Sequence, residues 1–194
     1  MTATPVLCLA SASPRRKALL ASIGVPVTVR PCHIDETPLA GESAEVYVYR
    51  LAVTKAEAAA PLTGLPTLGS DTAVVVDGRI LGKPADFDEG AGMLRLLSGR
   101  SHHVLTSVAV SGPAGMLSCC VATQVTMRLI DEHEMAAYWR TGEPADKAGS
   151  YAIQGLASIF VKEIQGSHSA VVGLPLFETA NLLHQQGVPI WQRV

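Results

Sequence analysis

The chain opens on a continuous apolar run of strand length, Val6 to Ala10. Ser13-Pro14 follows directly, a hydroxyl able to cap a helix ahead of a proline at its first position. The pattern predicts strand, tight loop and helix, with Leu19, Leu20 and Ile23 on the inner side and Gly24 at the stop. Val25 to Arg30 reads as a second strand, and Pro31 to Gly41 as a loop rich in acid and proline. From Ser43 to Ala60 a longer helix is expected, in which Tyr47, Leu51 and Lys55 recur at every fourth residue. Lys55 thus ends an apolar stripe, its stem packed and its ammonium reaching past the edge of the core.

Thr67 to Ser70 reads as a short strand ending at Asp71, and Thr72 to Leu81 as a hairpin turning on Asp77-Gly78. Asp86 with Glu89 and Asp131 with Glu134 have the spacing of capping boxes, opening helices that run through Leu97 and to Arg140. Between them lie His103 to Val110 and Leu117 to Leu129, a second hairpin around Ser111 to Gly115. A glycine-rich stretch, Thr141 to Gly155, precedes a strand from Ile159 to Gln165 and a last helix from Pro175 to Gln186. Strands and helices alternate without an internal repeat, which predicts an α/β fold with a mixed central sheet flanked by helices on both faces.

Composition narrows what such a fold does. The 194 residues are 48% hydrophobic and 16% charged, enough to bury a full core in one domain, residues 1–194, that can divide into two lobes. A formal charge of −2 and 5% aromatic residues lack both the broad positive field and the stacking platforms of nucleic-acid binders. No apolar stretch approaches the ~20 residues that cross a bilayer. Arg15-Arg16 follow the first apolar run instead of preceding it, the reverse of a secretory signal, so a cytoplasmic protein without a membrane partner is expected. Cys8, Cys32, Cys119 and Cys120 have no metal-binding or disulfide spacing, and reduced, mostly buried thiols are expected.

Four groups of residues can carry chemistry. Ser11, Ser13, Arg15 and Arg16 sit where a strand runs into a helix, and the free amides and dipole there already favour an anion. Ser13 also reads simply as a cap. Asp71, in Gly69-Ser70-Asp71-Thr72, can take a proton from water, hold magnesium or form an Asx-turn. Asp35 and Glu36, with Glu42 nearer the helix, are candidate metal ligands or merely solvated acids, and Lys55 and Lys83 are candidate phosphate ligands or surface lysines. Jointly they match triphosphate cleavage, which needs cations against the leaving pyrophosphate, a bridging metal and an oriented water. The neighbours Cys32-His33 point apart on an extended backbone and make a poor hydrolase pair, and His102 and His103 a poor metal pair.

The ordered set LASASPRRKALL (Leu9 to Leu20), YVYRLAVTKA (Tyr47 to Ala56), LGSDT (Leu68 to Thr72), ILGKP (Ile80 to Pro84), DKAGSYAIQGL (Asp146 to Leu156) and VVGLP (Val171 to Pro175) resembles the Maf family of nucleotide pyrophosphatases. That family is similar in fold to the inosine-triphosphate pyrophosphatases. The resemblance implies an elongated central sheet, two lobes around a deep cleft, and commonly a homodimer. It implies Asp71 as the acid that activates water, Arg15, Arg16, Lys55 and Lys83 on the phosphates, and a divalent cation, Mg or Mn, near Asp71, Glu36 and Asp35. Asp35 stands where close relatives often carry glutamate. Members similar to the dTTP/UTP pyrophosphatases carry Arg, Thr and Gln where the 7-methyl-GTP enzymes carry Trp, Gln and Glu; this chain has Arg15, Thr72 and Gln154. The Gln154 amide offers a donor and an acceptor to the O4/N3–H edge shared by uracil and thymine. The expected activity is hydrolysis of dTTP and UTP at the α-phosphorus. A pyrophosphatase for 7-methyl-GTP or another modified purine, and a non-catalytic nucleotide-binding regulator of cell division, are the competing readings.

Overall fold

A computed structural model describes residues 4–192. Seven strands hydrogen-bond into one sheet in the order β2-β1-β3-β5-β6-β7, with β4 paired to β3. They are β1 (Leu7–Leu9), β2 (Val27–Val29), β3 (Thr67–Val76), β4 (Arg79–Leu81), β5 (Ser101–Gly112), β6 (Gly115–Met127) and β7 (Val161–Gln165). β1 runs parallel to both β2 and β3, while β4 on β3 and β7 on β6 are antiparallel, so the sheet is mixed. The helices are α1 (Pro14–Ser22), α2 (Ala44–Ala59), α3 (Phe87–Leu97), α4 (Glu132–Trp139), α5 (His168–Val172) and α6 (Leu176–Gln185). The α/β class read from the alternating pattern is the one observed.

The chain divides into two compact units. The first comprises residues 1–71, 106–121 and 173–194, and its core joins Leu7 and Leu9 of β1, Leu20 of α1, Leu68 of β3, Val108 and Val110 of β5, and Leu182 and Leu183 of α6. Gln186 closes this unit from inside: its amide donates to the carbonyls of Val110 and Gly115 at 3.0 and 2.8 Å, while its oxygen accepts the Ala114 N–H at 2.9 Å, fixing the hairpin β5–β6. The second unit comprises residues 72–105 and 122–172. In it Met93, Leu94 and Leu97 of α3 and Met135 and Tyr138 of α4 are buried, and Tyr138 packs edge-on against Phe160.

Capping chemistry sets the helix starts. Ser13, Ser43, Asp86 and Asp131 each accept a backbone N–H at the start of their helices, and Asp131 with Glu134 completes the reciprocal box. Glu89 instead takes the Ala85 N–H at 2.7 Å, one residue upstream of the expected partner. The turn at Asp77-Gly78 has both residues left-handed, at φ 50° and 72°, as a tight hairpin turn requires.

Four expectations need correction. Asp71 does not end a strand: β3 runs unbroken from Thr67 to Val76, because Ser70 and Asp71 find buried partners and can stay in the ladder. Lys55 is not a surface lysine: the residue is 8% exposed and its ammonium ends on Asp71. Of the four thiols only Cys8 is buried, since Cys119 and Cys120 alternate along β6 and Cys120 faces solvent. The strand expected from Ile159 starts at Val161, because residues 156–160 coil into a 3₁₀ turn first.

Candidate active site

The turn between β1 and α1 builds an anion seat in the first unit. Ser13 caps α1, its hydroxyl accepting the Arg16 N–H at 3.5 Å, and its own N–H donates to the buried Ser11 hydroxyl at 3.2 Å. Arg16 is held rather than free-swinging. Its Nη1 donates to Ser11 Oγ at 3.2 Å and its Nε to the Gly173 carbonyl at 2.8 Å. Gly173, at φ 127°, turns that carbonyl so that it also accepts from the Ser70 hydroxyl at 3.1 Å. Burial pushes the Arg16 guanidinium below its ordinary value, and the nearby Asp71 pulls it back up. Arg15, half-buried, lies beside it on α1.

A second set converges on one ammonium. Lys55 of α2 places Nζ 2.7 Å from Asp71 Oδ1 and 2.7 Å from Glu36 Oε1. This close approach depends on Gly69: a Cβ there would lie 2.2 Å from the Ala52 carbonyl and 2.6 Å from the Ala56 nitrogen. Only glycine lets α2 lie so tightly on β3 that a lysine one turn along reaches the next-but-one strand residue. Burial raises Asp71 above the ordinary carboxylate range, and Lys55 and Arg16 act against it while Glu36 adds to it. An acid poised in this way, between desolvation and two cations, is suited to proton transfer.

The acidic loop is pinned to α2. Tyr47 donates its hydroxyl to the Glu36 carbonyl at 3.0 Å, and Arg50 grips Glu42 through two bonds of 2.6 and 2.7 Å while reaching the Thr37 carbonyl at 3.1 Å. Burial, then the charges of Asp71 and Glu36, push the Tyr47 phenol up to about 12, so it remains a donor. Asp35 is exposed and accepts the Thr37 N–H at 2.9 Å, which turns its carboxylate into the loop.

Asp71 and Glu36 are therefore the pair that fits a hard divalent cation, since both direct an oxygen at the point held by Nζ. Among the described residues no group of three or more metal-ligating side chains gathers. Two carboxylates completed by substrate oxygens and water are a donor set that magnesium accepts.

In the second unit, Thr72 follows Asp71 on β3 and is half-buried. Lys83 is exposed just beyond β4, where the neighbouring Gly82 carbonyl accepts the Gly149 N–H at 3.0 Å. Gln154 is exposed in a tight turn closed by the Gly155 N–H on the Ala152 carbonyl at 3.0 Å. Sequence reasoning missed Gly69, Tyr47 and Gly173 as parts of the site. Each stood inside a motif quoted above; a glycine or tyrosine bears no charge to flag it.

Residues 6–186, which include all of these side chains, match the family described as Maf-like protein. The chain belongs to the Maf-like family. A dTTP/UTP pyrophosphatase of Saccharophagus degradans is 53% identical over 193 residues, covering 97% of this chain and 92% of the relative. A dTTP/UTP pyrophosphatase of Colwellia psychrerythraea is 50% identical over 189 residues, covering 93% and 88%. The solved structure of a HAM1 protein from Coxiella burnetii matches with a TM-score of 0.51 at 20% identity, over 94% of this chain and 100% of that one, which shows a shared fold.

Proposed function

We propose that this chain is a pyrophosphatase that hydrolyses dTTP and UTP to the nucleoside monophosphate and pyrophosphate. The observation that carries the reading is the Lys55 ammonium shared by Asp71 and Glu36, two carboxylates whose charges also act on the Arg16 guanidinium. That places a buried acid among cations, the arrangement that polyphosphate cleavage needs. The relatives named dTTP/UTP pyrophosphatase support the substrate class.

In the reaction, Asp71 orients a water and takes its proton as the water oxygen bonds to the α-phosphorus and the bond from that phosphorus to the bridging oxygen breaks. Pyrophosphate leaves with both bonding electrons. Ser11, Ser13, Arg15 and Arg16 bind phosphate oxygens, and Lys55 exchanges its carboxylate partners for the growing negative charge. Asp71 and Glu36, with Asp35 in the loop that carries Glu36, would hold a divalent cation, Mg or Mn, which when bound would supply positive charge against the phosphates. Lys83 is assigned to the phosphates, and Thr72 and Gln154, with Arg15, to the choice of base. A homodimeric state, which rests on the family resemblance, and a cytoplasmic location belong to the same reading.

The test is a panel of nucleotides at equal concentration, with pyrophosphate release measured with Mg, with Mn and with a chelator. Fastest release from dTTP and UTP, abolished by chelation, is expected. Preference for 7-methyl-GTP would overturn the substrate assignment, and nucleotide binding without release would overturn the enzymatic one.

A further inference from the structure

We propose that Glu143, acting with the Tyr138 hydroxyl, is the positioning residue that sets the Gln154 turn for reading the base; this rests on the assignment of Gln154 to base choice. The turn is gripped on both flanks. On its near side the Ala152 N–H donates to Tyr138 Oη at 3.2 Å, and Tyr138 in turn donates to Glu143 Oε1 at 2.7 Å. On its far side Glu143 Oε2 accepts the Leu156 N–H at 3.0 Å and Oε1 the Ala157 N–H at 3.3 Å. One carboxylate thus fixes residues 152 and 156–157, directly or through one phenol, and Gln154 stands midway between them.

The fit around that carboxylate is close. A Cβ on Gly155 would lie 2.1 Å from Glu143 Oε2 and 2.4 Å from its Cδ, so the turn admits only glycine while Glu143 is in place. Gly155 has φ −112°, a conformation open to any residue, so what excludes a side chain there is the carboxylate and not the backbone. Burial raises the Glu143 carboxyl, but the Leu156 N–H, the Tyr138 hydroxyl and the Ala157 N–H outweigh it and hold the group ionised. An ionised acceptor makes the stronger tether.

A uracil edge offers the O4 acceptor beside the N3–H donor, whereas cytosine reverses both, so a glutamine fixed in orientation discriminates between them and a mobile one, free to turn its amide over, does not. Glu143→Gln keeps the shape but has one carbonyl oxygen where two acceptors are used, and Tyr138→Phe removes the tether to Ala152 together with the hydroxyl's bond to Glu143 while leaving the Leu156 and Ala157 tethers.

The experiment compares kcat/KM for UTP and CTP in the wild type, Glu143→Gln, Tyr138→Phe, Gly155→Ala, Glu143→Ala, the Gly155→Ala/Glu143→Ala double variant and Gln154→Ala, with amide exchange of Ala152, Leu156 and Ala157 followed by NMR. The expected result is a UTP:CTP preference lowered about tenfold in Glu143→Gln and Tyr138→Phe, together with faster exchange at the tethered amides. Gly155→Ala should do the same, and the double variant should be no worse than Glu143→Ala alone, because the two changes disrupt one contact. Faster exchange with an unchanged UTP:CTP preference, in a protein whose preference Gln154→Ala abolishes, would overturn the positioning role while leaving Gln154 in place. An unchanged preference in Gln154→Ala would overturn the base-reading assignment itself, and this inference with it.

Discussion

Asp71 carries the account at the scale of single residues, because its environment pulls in two directions. Burial raises its pKa, Lys55 and Arg16 lower it, and Glu36 raises it. The acid limb of kcat/KM on UTP should therefore lie above the ordinary aspartate value of 3.8. Removing the lowering charge in Lys55→Met should move that limb to higher pH, and removing the raising charge in Glu36→Gln should move it to lower pH. A pH profile of the three proteins checks the signs, and shifts in the same direction would contradict the electrostatic assignment. His102 makes a separate statement about stability. Burial holds its imidazole at about 4 against an ordinary 6.5, with Nε2 2.8 Å from the Tyr151 hydroxyl. The unfolded chain gains this proton as pH falls through 6.5 while the folded one resists until about 4. Stability from this residue is thus complete above the upper value and is lost between the two, on the order of a few kcal/mol. Urea unfolding at several pH values should show that slope in the wild type and lose it in His102→Gln.

Elements matter through the contact of α2 with β3. Gly69 lets the helix approach, so Gly69→Ala should cost about 1–3 kcal/mol by overpacking. By moving Lys55 about 1 Å it should also lower kcat about 10²-fold. Thermal unfolding and initial rates measure the two separately, and a stable, fully active variant would remove Gly69 from the account. This is also where the limits of sequence reading lie. Strands and helices were legible because caps and periodicity are local: Ser13, Asp131 and Asp77-Gly78 act within four residues of themselves. The charged members of the site were legible as residue types. Their partners were not, because Lys55 meets Asp71 16 positions away and Arg16 meets Gly173 157 positions away. The break expected at Asp71 is absent because tertiary partners satisfy Ser70 and Asp71 inside one strand. The turn around Gln154 looked like featureless glycine-rich loop, although Glu143 and Tyr138 order it.

Across the whole molecule, the balance of fifteen basic and seventeen acidic residues leaves phosphate binding to local clusters. Retention of RNA or DNA on a filter should therefore be weak and sequence-independent at low salt and vanish by physiological salt, whereas binding of UTP persists; tight, salt-resistant retention would contradict the local-cluster picture. The central claim is narrower: Asp71 directs water to the α-phosphorus. Hydrolysis of UTP in ¹⁸O-water, with products analysed by mass spectrometry, tests it most directly. The label should appear in UMP and not in pyrophosphate, and Asp71→Asn should slow its appearance by about 10²- to 10⁴-fold. Label in the pyrophosphate, or wild-type turnover by Asp71→Asn, would contradict it.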